Sequence, residues 1–339
     1  MTPAIFGIAG PSLTADERAF FADADPAGYI LFARNCETRD QLRALTDDLR
    51  SIQGRDKLVI SIDQEGGRVV RMKPPEWSRF PAGEVFDRLY QAAPASAIEA
   101  ARCNAHAMAL ELAECGISVN YHAPFDVRRP ETVDAIGDRA LGSDPMQVAA
   151  LGRAVLEGMR AGGVVGCLKH MPGHGRALVD SHKELPVADA SAEELERDIE
   201  PFRSLSDHPL GMTCHLVFPA WDPARPATQS PTIIEEVIRG AIGFDGLLLT
   251  DDIDMEALDG SVPDRSEASL AAGCDITLNC WAKIGDMQGI AERNPVMGEK
   301  TRARLGRVHD AIGPAPDTFD NAPLLAKRDA LLAAAEIAA

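Results

Sequence analysis

The sequence is short of positive charge. Its 339 residues carry 34 Lys and Arg against 52 Asp and Glu, a formal charge of −18. A nucleic-acid binder needs a basic face to neutralise phosphates, and an anionic membrane surface would repel this chain, so neither partner is expected. Long apolar runs are also missing, and none approaches the roughly 20 residues of a membrane helix. The opening MTPAIFGIAGPS has no basic segment before its short apolar run, so no signal peptide is expected and the chain reads as cytoplasmic. Seven cysteines, an odd number with no CxxC pair, argue against both a disulfide framework and a cysteine zinc site. They read as reduced core residues. No repeat, low-complexity tract or Pro/Ser-rich linker divides the chain, so one domain over residues 1–339 is expected.

What recurs is a short β-branched apolar run, a polar cluster and then a helical pattern. The runs are Ala4–Gly10, Gly28–Phe32, Leu58–Asp63, Ile117–Ala123, Val164–His170, Leu210–Val217, Gly246–Asp251 and Ile276–Cys280. Helices are expected between them at Thr38–Gln53, Pro94–Cys115, Asp144–Gly162, Ser191–Leu205 and Ser230–Gly240, several opening on a capping residue. Near-continuous apolar strands alternating with helices imply a parallel sheet covered by helices. Eight such units fit an α/β fold of the (β/α)8 TIM-barrel type, with the barrel at about 4–281 and a helical, Ala-rich tail at 282–339 packed on its outside. An open doubly wound sheet is the alternative, but no Gly-rich dinucleotide turn follows the first strand.

A TIM barrel carries its active site at the C-terminal ends of the strands. Strand three ends Asp63-Gln-Glu65-Gly-Gly-Arg68, strand four His122, strand five Lys169-His170, strand six Cys-His215 and strand seven Thr-Asp251-Asp252. One Asp at a strand end is more often a helix cap than a catalyst. Five such endings on one rim point to a pocket. The loop Lys169–Glu184 adds His174, Arg176, Asp180 and His182. Asp180 stands two residues from His182, so it can accept from one ring nitrogen and aim the other at a substrate oxygen. A metal site is disfavoured, because HExxH is absent, Lys169 would sit beside the ion, and Asp-x-His is too tight for the usual ligand spread. Neighbouring strand residues point to opposite sides, so of Asp251 and Asp252 one can act as nucleophile or base while the other caps a following helix. The residues alone leave that choice open.

The motifs Asp63-Gln-Glu-Gly-Gly-Arg68-Val-Val-Arg71, Ala135-Ile-Gly-Asp138-Arg139, Lys169-His-Met-Pro-Gly-His-Gly175, Asp180-Ser-His-Lys-Glu184 and Phe244–Met255 together resemble glycoside hydrolase family 3, within it the bacterial β-N-acetylglucosaminidases of peptidoglycan recycling. The likeness runs from about Gly7 to Cys280. It implies a retaining, cofactor-free and metal-free exo-glycosidase that removes terminal β-linked N-acetylglucosamine. By resemblance Asp251 is the nucleophile, His182 the general acid/base and Asp180 its partner. Asp63, Lys169 and His170 are implied as contacts for the sugar hydroxyls, Arg139 for the N-acetyl side, and Arg71, His215 and Met255 as pocket lining. A monomer acting on a small carbohydrate or muropeptide is implied too. Met171, Asp138, Leu141 and Cys214 depart from the residues common at these places, which affects the pocket wall rather than a catalytic group.

Two neighbouring activities stay open. An imidazole acid/base admits phosphate as acceptor, which would make a phosphorylase, although no P-loop-like cradle is present. A family 3 β-glucosidase is disfavoured by the Lys-His…Asp-Ser-His loop. Outside these stand a metal-dependent barrel hydrolase, which metal content and chelation would reveal, and a non-enzymatic sugar sensor. The intact Asp251, Asp180 and His182 count against the sensor.

Overall fold

The apolar runs become strands because both of their faces are covered. A computed structural model describes residues 1–179, 184–294, 296–314 and 319–338. Eight parallel strands are present: β1 (Thr2–Gly7), β2 (Pro26–Leu31), β3 (Val59–Ile62), β4 (Val119–Asn120), β5 (Leu168–Met171), β6 (Leu210–Thr213), β7 (Leu247–Asp252) and β8 (Ile276–Asn279). Their hydrogen-bonded order is β4-β3-β2-β1-β8-β7-β6-β5. The two ends of that row meet. Asn120 N–H donates to Val165 O at 2.9 Å, Cys167 N–H to His122 O at 3.0 Å and Phe125 N–H to Lys169 O at 2.6 Å. The sheet therefore closes on itself and leaves no unpaired edge.

Alternation along each strand builds two cores. Ile5, Ile30, Val59, Tyr121, Cys167, Met212, Leu249 and Leu278 fill the barrel interior. Phe6, Leu31, Ile60 and Leu248 face outward against the helices. The helices begin where short polar side chains satisfy the free N–H groups of a first turn. Thr38 accepts from Gln41 N for the helix Arg39–Gln53, and Asp144 from Gln147 N for Pro145–Ala161. Ser191 and Glu194 form a reciprocal capping box for Ala192–Arg203. The segment Ile233–Ala241 is wound as a wider π-helix. Helices at Ala15–Ala24 and Gly83–Ala92, and a two-stranded ribbon of Val217–Phe218 with Asp222–Pro226, are additions that the sequence pattern does not announce.

The tail divides into two packing modes, which corrects the expectation that all of it lies outside. Helix Ala322–Ala334 does lie on the exterior, where Arg328 Nη1 donates to Asn104 Oδ1 of the long helix Pro94–Glu114 at 3.0 Å. Helix Glu299–Ala311 instead closes the N-terminal mouth of the barrel, with Leu305 and Val308 joining the inner core. Buried Arg304 holds it there, donating to Asp275 Oδ1 at 3.0 Å and to Asp245 Oδ1 at 2.6 Å. The reason is geometric. A closed barrel has an apolar end to cover, and the tail is the remaining chain able to cover it. Leu305→Ala is therefore expected to cost about 2–5 kcal/mol in a denaturant melt, the penalty of a core truncation. A cost within about 0.5 kcal/mol, usual for a surface position, would place that helix outside the core.

Candidate active site

The C-terminal ends of the strands surround a cavity of about 350 Å³, lined by Phe32, Asp63, Arg71, Arg139, Lys169, His170, His174, Asp251, Asp252, Met255 and Cys280 among others. Of the residues singled out in the sequence, Asp63, Arg71, Arg139, Lys169, His170, Asp251 and Met255 line this one cavity. Asp180 and His182 lie outside the described residues. Another cavity, of about 430 Å³, opens at the other end of β5 and β6 beside Arg160 and His208, and it gathers none of these groups.

The local chain explains how the first cluster forms. After β3 the backbone reverses at Gly66, whose φ of +107° favours glycine and where a Cβ would lie 2.2 Å from Pro81 O. Glu65 N–H then donates to Val69 O at 2.9 Å, and Gln64 Oε1 accepts Arg71 N–H at 2.8 Å. This small loop folds Arg71 back towards Asp63. Arg71 Nη2 approaches Asp63 Oδ2 at 3.4 Å, and its guanidinium lies over the Phe32 ring.

Behind Asp63 lies a buried ion cluster. Arg139 grips Glu65 with two parallel hydrogen bonds, Nε to Oε2 at 2.8 Å and Nη2 to Oε1 at 2.7 Å. Lys169 Nζ meets Glu65 Oε1 at 2.7 Å and Asp63 Oδ1 at 3.2 Å. Burial alone would push Glu65 towards its neutral form, but the charges of Arg139 and Lys169 prevail and hold it well below the usual carboxylate range. Lys169 shows the converse balance, with burial opposed by Glu65 and Asp63, and stays above its ordinary value. His122, behind the same cluster, is pushed down to about 4 by burial and by the cations Lys169 and Arg139. It is a neutral imidazole at neutral pH.

A second set fixes the imidazoles. Asp126 is fully buried after β4, and its Oδ2 lies 2.7 Å from His170 Nδ1. Its Oδ1 accepts the backbone N–H groups of His170 at 3.2 Å and His174 at 2.7 Å. The carboxylate holds a proton on His170 Nδ1 and fixes the orientation of the ring. The two rings stand 5.6 Å apart. Burial, then the neighbouring His170, lowers His174 to about 4.

Asp251 lies one residue before the end of β7, its Oδ1 accepting Asp252 N–H at 2.8 Å. Burial pushes its carboxyl up, but His170, His215, that N–H and His174 together bring it down to about 2. It is therefore an anion across the ordinary pH range. Asp252 also lines the cavity, which differs from the expected division into a pocket residue and a helix cap. The strand ends here in a turn, Asp252 Oδ1 accepting Asp254 N–H at 3.0 Å, and the next helix begins only at Val262, capped by Ser261. His215 is not on the cavity wall. It is fully buried, with Nδ1 at 2.8 Å from Thr228 Oγ1 and Nε2 donating to Asp252 O at 2.9 Å. Both ring nitrogens are occupied, so it props β7 from behind.

Sequence reasoning passed over Phe32, Glu65, Asp126 and His174 as separate site residues. Glu65 and His174 stand inside motifs already read, and a charged residue fixed in such a motif was the signal available. Asp126 and Phe32 carry no comparable mark, because only the closed barrel brings them to the rim.

The model of the glycosyl hydrolase family 3 N-terminal domain matches residues 8–309. A β-hexosaminidase of Bordetella avium is 37% identical over 287 residues, covering 82% of this chain and 80% of that protein. One from Alkalilimnicola ehrlichii is 39% identical over 283 residues, with the same coverage. The crystal structure of NagZ from Neisseria gonorrhoeae in complex with N-trifluoroacetyl-D-glucosamine is 30% identical, with a TM-score of 0.86 over 98% of both chains.

The buried cluster sets a pH dependence with a definite sign. Glu65 is depressed in the fold, so its stabilisation is complete above the unfolded Glu value of about 4.3 and drains away as pH falls towards the folded value. Glu65→Gln leaves Arg139 and Lys169 without their shared counter-charge and is expected to cost about 3–5 kcal/mol near neutral pH. Urea melts of variant and wild type should converge as pH is lowered below about 4, whereas a pH-independent gap would mean that Glu65 packs without carrying its charge.

Proposed function

The chain belongs to glycoside hydrolase family 3, and on that basis we propose that it is a retaining exo-β-N-acetylglucosaminidase that hydrolyses terminal β-linked N-acetylglucosamine through a covalent glycosyl-enzyme. The observation that carries the reading is Asp251. It is an ionised carboxylate at the end of β7, oriented by a backbone N–H and facing a cavity whose other wall offers Asp63, Lys169, Arg71 and Arg139. Attack by its carboxylate on the anomeric carbon forms the ester and expels the leaving oxygen. His182, oriented by Asp180, gives that oxygen a proton and then takes one from the water that opens the ester. Asp63 and the Lys169–His170 pair receive the sugar hydroxyls, and Arg139 stands on the N-acetyl side, backed by Glu65. Met255 and Phe32 supply apolar wall. The relatives named β-hexosaminidase and the NagZ neighbour support the choice of sugar. The reading extends to muropeptide-type substrates, a monomeric state and a cytoplasmic location, as the family resemblance implies. Among the described residues no helix is long and apolar enough to cross a membrane.

An imidazole acid/base suits an anionic substrate, because a second carboxylate there would repel it. His182→Glu should therefore depress turnover of anionic muropeptide substrates more than that of neutral aryl glycosides. Equal losses would remove this rationale.

The decisive assay is release of p-nitrophenol from its β-N-acetylglucosaminide in the presence of EDTA. Wild type should be active, and Asp251→Ala should lose roughly a thousandfold or more in kcat with its fold intact. Loss of wild-type activity on chelation would favour a metal-dependent hydrolase, and an active Asp251→Ala would exclude Asp251 as nucleophile.

A further inference from the structure

Asp251, Asp252 and Asp254 place three carboxyl groups within four residues on a single turn, and the structure treats them differently. Asp254 is nine-tenths or more buried and accepts four hydrogen bonds, from Asn279 Nδ2 at 3.0 and 2.9 Å, from Cys280 N–H at 2.8 Å and from Trp281 N–H at 3.0 Å. Three donor groups making four contacts on one carboxylate favour an anion. Asp251 receives one N–H and looks towards the imidazoles of His170 and His174. Asp252 has neither kind of support. Among the described residues no Arg, Lys or His forms an ion pair with it, and the Asp254 backbone N–H donates to its Oδ1 at 3.0 Å. Its carboxyl meets the carboxyl of Asp254 and faces the Cys280 thiol.

The charged groups packed around it do not supply the missing cation: Arg265, on the helix Val262–Ala272, turns Nη1 to the backbone oxygens of Ile253 and Met255, at 3.0 Å each. Arg34, just after β2, feels the charges of Asp252 and Asp254 but is turned to carbonyls, with Nε donating to Ile8 O at 2.7 Å and Nη2 to Cys280 O at 2.6 Å. His215, on the β6 side, donates to the Asp252 backbone O and leaves the side chain alone. Asp63, on the β3 side, is engaged by Lys169 and Arg71. An anion at Asp252 would sit between two others in a partly closed cavity, and carboxylates so placed share a proton.

We propose that Asp252 works as a neutral carboxylic acid whose proton is shared with the Asp254 carboxylate, a positioning residue that leaves Asp251 the one free anion at the end of β7. The inference rests on the reading of Asp251 as nucleophile for its catalytic meaning. The acid donates to Asp254, while the Asp252 backbone oxygen accepts from His215 Nε2 and Met255 N–H and the Asp252 N–H aims the Asp251 oxygen. No net proton is gained or lost in the reaction through it. Burial, and then the charge of Asp254, hold the Asp252 carboxyl well above its usual range, in keeping with this geometry.

Infrared difference spectroscopy of the full chain near neutral pH tests the assignment. Wild type minus Asp252→Asn should contain the C=O stretch of a protonated carboxyl. Absence of that band, or its persistence undiminished in Asp252→Asn, overturns the proposal. The acid limb of kcat/KM reports the consequence. Asp254→Asn removes the acceptor, so Asp252 sheds its proton and the limb governed by Asp251 should rise by about one pH unit. Adding Asp252→Asn to Asp254→Asn should return the limb to its wild-type position, which a merely structural role would not do. An unmoved limb in a folded Asp254→Asn also overturns it, and if that variant fails to fold the infrared band decides alone. The outcome is separable from the identity of the nucleophile: a missing band with an inactive Asp251→Ala rejects the shared proton and keeps Asp251.

Discussion

Glu65 is buried between Arg139 and Lys169, and the working face of the barrel depends on that contact. Taking three charges out of water is costly unless their partners are close and well directed. The bidentate Arg139 grip and the 2.7 Å Lys169 contact meet that condition. Once met, it fixes much else. Lys169 is turned so that its remaining donor capacity reaches Asp63, the β3 loop must return at Gly66 to bring Glu65 under the rim, and the loop bearing Arg139 must lie across β3. Burial, and then the same cations, keep His122 neutral behind them. A cavity wall with this many charged groups is rigid because each group has few alternatives.

On the opposite side of the cavity the design is reversed. Among the described residues no Arg or Lys clamps Asp251, and its carboxylate is favoured by neighbouring imidazoles and a backbone N–H. A carboxylate bound bidentately by Arg would be a poor nucleophile, since attack would have to break that pair. On the proposed reading, labour is separated: clamped ions on the β3–β5 side would hold the sugar, and a lightly held ion on β7 would react with it. His215 and Asp126 serve this division from behind the wall, one propping the end of β7 and the other fixing the tautomer of His170.

Much of the architecture is legible in the residues. The eight runs correspond to the eight strands, with boundaries displaced by a few residues, because full burial on both faces demands near-continuous apolar sequence. Helix starts at Arg39, Pro145 and Ala192 are legible for a local reason, since Thr38, Asp144 and Ser191 each satisfy a donor three residues on. The tail was harder. Leu305 and Val308 look like any amphipathic pair, and nothing within their helix says that an open barrel mouth lies beneath. The ribbon at Val217–Pro226 was hidden likewise, being held by pairing rather than by a pattern of its own. Asp63, Lys169, His170 and Asp251 could be gathered in advance because strand ends of a barrel share one rim, whereas Arg71, Arg139 and Met255 were implied only by the family resemblance. Phe32 and Asp126 could not, and His215 was placed one layer too far forward, since the ends of strands do not reveal which side chain turns inward.

The sequence by itself determined the class of fold, the polarity of the barrel and the residues at its rim, because periodicity, caps and strand ends are local properties. Tertiary structure decided the charge states and the division of roles. Whether a carboxyl is clamped, free or paired with another depends on groups brought in from distant strands, Arg139 to Glu65 and Asn279 to Asp254 among them. Adjacent residues as alike as Asp251 and Asp252 differ there for one reason: electrostatic energy depends on distances in space, and chain spacing does not contain them.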